Sequence, residues 1–415
     1  MLKYPEPLNL ASRPDLNHNE VRSLPANIGL EGPEELEQLA FKRLNEGKIK
    51  DGLKLVLRAA KGYEGEGRKE DAARLYRYLG YVLLKKTNSV EKARPSLLKS
   101  AYLYIDLIEE EISRAEVDLN TLDEYCLNVL EIFMTLEDEK NLMKYAGEFA
   151  AIYEDLGTAY QDNDDIFDAI NAYESAYWYY RVIGNEEAYK QLAGMLITLY
   201  GQLAEEYLGD GKIEDAANAF YNLAKFTWAI FGYDIHFIEM MDTAAKNFER
   251  ASKIAYSEGD LDRTTTNLVK AQYAYLLAKN FNRSKLIAIN AARMLNQLVS
   301  HYRSEGKEQS LMNKLIELSE SLIGIGKFEE AFNIYKNLLE IKSSVEFRVR
   351  VRLAVIKHFA ATEGHPDIFA GITELEYQMY KGRFPKALEL SERIMLQEDQ
   401  LSKLLSMIHR AEGLY

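Results

Sequence analysis

The sequence predicts an all-α protein, a solenoid of stacked antiparallel helix hairpins, and three observations carry that expectation. The first is a repeat: Tyr153, Leu156, Gly157, Tyr160, Ala169, Tyr173 and Ala176 recur 47 residues later as Tyr200, Leu203, Ala204, Tyr207, Ala216, Phe220 and Leu223. Seven matched positions at one fixed offset mark a repeated structural unit. The second is helical spacing of apolar residues, as in Leu36, Leu39, Ala40 and Leu44, which places them on one face of a helix. The third is composition: 47% hydrophobic and 28% charged residues with only eight prolines suit a globular, helix-rich chain. A length of 415 residues would ordinarily mean about two or three domains. A repeat array is exempt, because each unit packs only on its neighbours.

Taken in order, residues 1–32 carry Pro5, Pro7, Pro14 and Pro25, half of all the prolines, and predict an extended N-terminal arm. From residue 33 to 415 the pattern predicts one continuous helical-repeat solenoid, clearest over 150–275. Leu53, Val56, Leu57 and Ala60 follow the break at Glu46 and Gly47 and complete a first hairpin, ended by Gly62, Gly65 and Gly67. Tyr76, Leu79 and Gly80, then Ala93, Leu97 and Ser100, form a second, in which Pro95 predicts a late helix start or a kink. Residues 109–121 are charged and lack the spacing, and Thr121 with Glu124 reads as a capping box restarting a helix at Leu122. A further pair covers 122–135 and 139–161.

Breaks at Asp162 to Asp165, Gly184–Asn185, Gly209 to Gly211 and Gly259–Asp260 delimit long helices over 186–208 and 213–231. A weaker third unit holds Phe248, Ala251, Thr264, Leu268 and Ala271, with Ala255 in place of the tyrosine. Residues 283–304 insert a helix before Leu315, Leu318 and Leu322. The turn Gly326-Lys327-Phe328 then leads to Ala331, Tyr335 and Leu338. Gly364 and Pro366 break the chain again, and Pro385 fits the first turn of a last repeat-like helix. Val345 to Val351 alternates apolar and basic residues, yet its helical surroundings predict helix. The total is about fourteen to sixteen helices.

A single hairpin has apolar residues on more than one face and must stack to bury them. Gly157 and Ala204 permit close approach of the two helices of a unit, and Ala169 and Ala216 leave room for Tyr173 and Phe220.

The repeated positions resemble those of the tetratricopeptide-repeat (TPR) family over residues 150–275, and in part over 33–105 and 310–400. The 47-residue period exceeds the TPR unit of about 34, and the long helices are similar to the SNAP-like branch, adaptors for AAA-type ATPases of membrane fusion. The resemblance implies a right-handed superhelix whose first helices line a concave, partner-binding face, and a non-catalytic scaffold or adaptor function. In one TPR subclass, Lys and Asn one and five residues after the first aromatic hold a partner's C-terminal carboxylate. Here those places hold Glu154 and Thr158, Gly201 and Glu205, and Glu249 and Lys253. The mostly acidic set would favour a basic or amphipathic helix as protein or peptide partner; ordinary solvated helix faces are the alternative.

Two further groups are candidates for partner binding. Tyr177, Trp178, Tyr179 and Tyr180 span all sides of a helix, so at least one should be exposed. With Phe226, Trp228, Phe231 and Tyr233 they could form an aromatic edge, or be buried by a neighbouring helix. Arg348, Arg350, Arg352 and Lys357 form a basic group that could meet an acidic surface or a second copy of the chain, or lie solvated beside nearby acids.

Other functions find little support. The net charge of −14 and pI near 5.2 argue against nucleic-acid binding. Cys126, the one cysteine, sits in an apolar pattern that predicts a buried thiol and no disulfide. Neither a leader pattern nor a run of about 20 apolar residues occurs, which predicts a cytoplasmic protein without membrane insertion. Gly209, Gly211 and Lys212, and Gly324, Gly326 and Lys327, are fragments of a phosphate loop without its Ser or Thr. The six histidines, His18, His236, His301, His358, His365 and His409, show no metal-ligand spacing. No cofactor or catalytic group is therefore expected. The competing class is a helical enzyme or small-molecule sensor in which the insertion at 283–304 closes a pocket.

Overall fold

The elements are set by their links. Asp118, Asp138, Asp165, Asp234, Asp260 and Asn280 each accept a backbone N–H from the first turn of the helix they open, removing one of its orphan donors. Four of these caps follow a residue of positive φ: Glu137, Asp164, Gly259 and Lys279. The amide of the cap also reaches back five residues, as in Asp165 N to Tyr160 O at 2.9 Å and Asn280 N to Tyr275 O at 2.9 Å. One left-handed residue and one capping residue thus end a helix in a Schellman-type turn and start the next. Gly211–Lys212 and Gly326–Lys327 use the same geometry, with Lys212 N on Tyr207 O and Lys327 N on Leu322 O. These glycine-lysine fragments are turns.

A computed structural model describes residues 32–341, 344–363 and 366–414, apart from the side chains of 366 and 367. The expected arm lies outside the described residues except for Gly32, as do Gly364, His18 and His365. Among the described residues there are eighteen helices and no strand. By contacts the chain groups into two units, divided in sequence after Tyr189.

The first unit contains α1 (Pro33–Asn45), α2 (Ile49–Gly65), α3 (Lys69–Thr87), α4 (Val90–Ile112), α5 (Leu119–Thr135), α6 (Glu139–Asp162) and α7 (Ile166–Val182). Consecutive helices pair as antiparallel neighbours, the arrangement short links impose. Glycines set the closest approaches. A methyl group on Gly80 would meet Leu97 at 2.5 Å, and one on Gly157 would meet the Tyr173 ring at 2.6 Å. Tyr153, Tyr173 and Ala169 are fully buried around the latter contact, as the repeat pattern predicts. Cys126 is buried.

The second unit contains most of α8 (Glu186–Gly209), then α9 (Ile213–Phe231), α10 (Ile235–Ser257), α11 (Leu261–Leu277), α12 (Phe281–Glu305), α13 (Glu308–Gly324), α14 (Phe328–Ile341), α15 (Val345–Glu363), α16 (Pro366–Tyr380), α17 (Phe384–Met395) and α18 (Asp399–Ala411). Helix α15 is its axis, packing on α11, α13, α16, α17 and α18. Phe347, Val349, Val351, Arg352, Val355 and Ile356 are all buried, so this helix is covered on every side. That is why Val345 to Val351 alternates without an amphipathic stripe. Helix α16 returns to α9 and α10, where Phe369 lies 5.2 Å from the Trp228 ring and 4.7 Å from Phe237.

Three local expectations are corrected. Helix α4 begins at Val90 and carries Pro95 inside it, so no late start occurs. The helix expected from Leu122 starts at Leu119, because Asp118 caps it and also accepts from the Thr121 hydroxyl at 2.7 Å. The count of eighteen exceeds the expected range; α18, which carries no repeat signature, is one helix the repeat pattern passes over. No helix among the described residues is long and apolar enough to cross a membrane.

Candidate functional site

Within the second unit, helices α9, α10, α11, α13, α15 and α16 surround a cavity of about 300 Å³. Its wall carries Asn218 and Tyr221 from α9, Phe248 from α10, Thr266, Lys270 and Tyr273 from α11, Glu317 and Glu320 from α13, Arg350 and Lys357 from α15, and Glu376 from α16. Burying charges is costly unless each finds a partner, and here they are matched across helices.

Arg350 meets Glu320 in a two-pronged contact, Nε and Nη2 donating at 2.7 and 2.8 Å. Tyr273 donates to the Glu320 carbonyl at 2.7 Å. Glu317 accepts from Lys314 at 3.0 and 3.1 Å and from the hydroxyls of Thr265 and Thr266. Lys270 lies 3.3 Å from Glu214 and donates to Asn218. Lys357 approaches Glu376 at 2.5 Å, and Tyr221 donates to the same carboxylate oxygen at 2.8 Å.

The electrostatics follow from these contacts. Burial pushes the Glu376 carboxyl upward, but the Lys357 and Lys225 ammonium groups outweigh it and hold it below its ordinary value. Burial pulls Lys357 down while Glu376 raises it, and the net shift is upward. Both groups stay ionised at neutral pH. The Lys357 ammonium also lies over the rings of Tyr221 and Tyr273, 5.4 and 5.6 Å from their centroids, a cation–π arrangement that adds to the pair. The second Glu376 oxygen is buried without a hydrogen-bond partner, with Lys225 3.7 Å away.

The sequence-predicted residues fall elsewhere or take other roles. Glu154 is half-buried and accepts from the Tyr180 hydroxyl at 2.8 Å, while Thr158 donates to the Glu154 carbonyl. Glu205 is exposed on α8. Glu249, expected on an open acidic face, is buried and receives the Tyr275 hydroxyl, the Arg283 guanidinium and the Lys253 ammonium. Burial raises its carboxyl, yet those donors hold it below the ordinary range. It is an internal anchor between α10, α11 and α12, with Lys253 as its exposed partner.

None of the four consecutive aromatics is fully exposed: Tyr177 and Tyr179 are buried, and Trp178 and Tyr180 half-buried. Arg181 covers Trp178, 5.0 Å from its ring. Phe226 is buried as well, while Phe231 is exposed. Trp228 packs against the core and Phe369, so a neighbouring helix covers it.

The basic group is no surface patch. Arg352 is fully buried and paired with Glu412 at 2.6 Å and Glu392 at 3.1 Å, and Arg348 shares Glu412 at 3.0 Å. Arg352 cannot reach a partner. Arg350 and Lys357, from the same run, instead line the cavity. The inserted helix α12 does not line it; α15 and α16 close it.

Sequence reasoning missed Glu317, Glu320 and Glu376. The available signal was on α15 itself: basic residues on an otherwise apolar helix with no solvent face require buried acidic partners. Among the described residues no group of three or more His, Cys, Asp or Glu could hold a metal ion.

Fold and cavity together define an all-α protein of linked helix hairpins with a cleft in its second unit lined by paired charges and apolar side chains. No family model matches the chain, and no curated protein matches it in sequence. Solved structures align along most of its length at low identity. A circular tandem repeat protein with novel repeat topology is 13% identical over 92% of this chain and 90% of its own, with a TM-score of 0.24. A Rap protein complexed with competence and sporulation factor is 11% identical over 82% and 99%, with a TM-score of 0.27. The TPR domain of P58(IPK) is 15% identical over 88% and 99%, with a TM-score of 0.18.

Proposed function

We propose that this chain is a non-catalytic binding scaffold that holds an extended segment of a protein or peptide partner in the cleft of its second unit. The observation that carries the reading is the wall of matched charges from four helices, α11, α13, α15 and α16, around a cavity of about 300 Å³. Matched pairs keep the walls apart and ionised without a bound partner, and they select by charge pattern. A helix with its side chains is about 10–12 Å across and is too bulky for this space. An extended segment therefore replaces the amphipathic helix as the expected occupant.

Selection of random segments from a display library on the immobilised full chain tests this. Selected segments should bind the Lys270→Glu variant about tenfold or more weakly, with the helical circular dichroism of the variant unchanged. Segments that bind both proteins equally would place the site elsewhere. A second reading, a sensor of a small molecule, is favoured by the small size of the same cleft and by its mixture of charged side chains with the apolar Phe248, Val269, Leu353 and Ala354.

A further inference from the structure

We infer that the cleft takes a small, net-neutral ligand bearing both a carboxylate and an ammonium group, an amino acid or a short free peptide. The inference rests on the cleft being the binding site and names the ligand for the second, small-molecule reading of it.

Three arguments converge. The wall carries three cations, Lys270, Arg350 and Lys357, and three carboxylates, Glu317, Glu320 and Glu376, and each already has an opposite charge beside it, from within the wall or from Glu214, Lys314 and Lys225 outside the lining. A ligand of net charge would leave one charge uncompensated in a confined space, whereas a dipolar one leaves none. The wall also has hydrogen-bonding capacity of both kinds in one place. Lys357 brings three donors and directs its ion pair at Glu376. Arg350 brings five and gives Nε and Nη2 to Glu320. Beside them, one Glu376 oxygen is buried without a hydrogen-bond partner, with the Lys225 ammonium 3.7 Å away as its nearest cation, so a ligand donor would add the hydrogen bond that this oxygen lacks. A ligand carboxylate is drawn to Arg350 and Lys357, and a ligand ammonium to Glu376 and Glu320. Finally, a volume of about 300 Å³ lies at the small end of ligand pockets, and Tyr221 and Tyr273 supply rings for an apolar side chain.

The test is isothermal titration of the full chain with free amino acids and uncapped dipeptides, and with the same dipeptides N-acetylated or C-amidated. At least one uncapped probe should bind saturably, and either cap should weaken it by about tenfold or more. Glu376→Gln should weaken the uncapped probe by a similar factor. Because Glu376 lies in the interior, Lys270→Gln on the more exposed rim provides the second variant, with the same direction expected. Equal binding of capped and uncapped probes, or no saturable binding of any uncapped probe, overturns the inference. Library-selected segments that still bind with both ends capped would leave the scaffold reading standing without this one. If those segments ignore the Lys270→Glu change, both fall.

Discussion

At the residue scale, two positions show how local geometry becomes stability. Glu137 holds φ at 53° in the link between α5 and α6, a conformation that costs a side-chain-bearing residue about 1 kcal/mol. Glu137→Gly should raise the thermal midpoint of unfolding, with a gain of up to about 1 kcal/mol in denaturant titration; an unchanged or lower midpoint would refute the strain. Glu412 is the acid behind the basic run. Burial raises its carboxyl, but donation from Arg352, Arg348 and Tyr335 lowers it further, to about 2 from 4.5. A depressed acid contributes stability that is full above the unfolded value and lost as pH falls toward the folded one. The contribution is about 3 kcal/mol at pH 7 and disappears from about pH 4.5 down to 2. Glu412→Gln should cost about 3–5 kcal/mol at pH 7 by stranding Arg352. The gap between wild type and variant in urea titrations should close in acid.

At the scale of elements, what was legible was what is local. The repeat at Tyr153 and Tyr200, the links at Asp162 to Asp165 and Gly209 to Gly211, and the spans of α8 and α9 depend on neighbours a few residues away. Their side chains write those constraints into the sequence. Gly157 of α6 against Tyr173 of α7 is a constraint within one hairpin that the repeat itself discloses, and Gly157→Ala should destabilise by about 1–3 kcal/mol, measurable by denaturant unfolding. The acidic face was misread at Glu249 because Tyr275 and Arg283, which claim its carboxylate, lie 26 and 34 residues further along the chain. The cleft was less visible still. Tyr221 and Glu376, which share a hydrogen bond, are 155 residues apart, and no periodicity links them. The basic run on α15 was seen, but its sorting into a buried latch at Arg352 and a cavity wall at Arg350 and Lys357 depends on which helix covers each side.

At the scale of the whole molecule, the helices of the first unit pair in chain order from α1 to α7, and the second unit adds packing that a simple array lacks. Helix α16 returns to α9, and α15 takes neighbours from well before it in sequence. That return encloses a charged cavity where stacked hairpins alone would leave each unit touching only its sequence neighbours. The central claim is that binding occurs in this cleft, and photo-cross-linking tests it most directly. A benzophenone side chain replaces Asn218 on the cavity wall in one full-length protein and the exposed Tyr256 in another. Each is irradiated with library-selected segments. Covalent capture from position 218, competed by unlabelled segment and weak from position 256, is the predicted result. Capture from 256 with none from 218 would contradict the account.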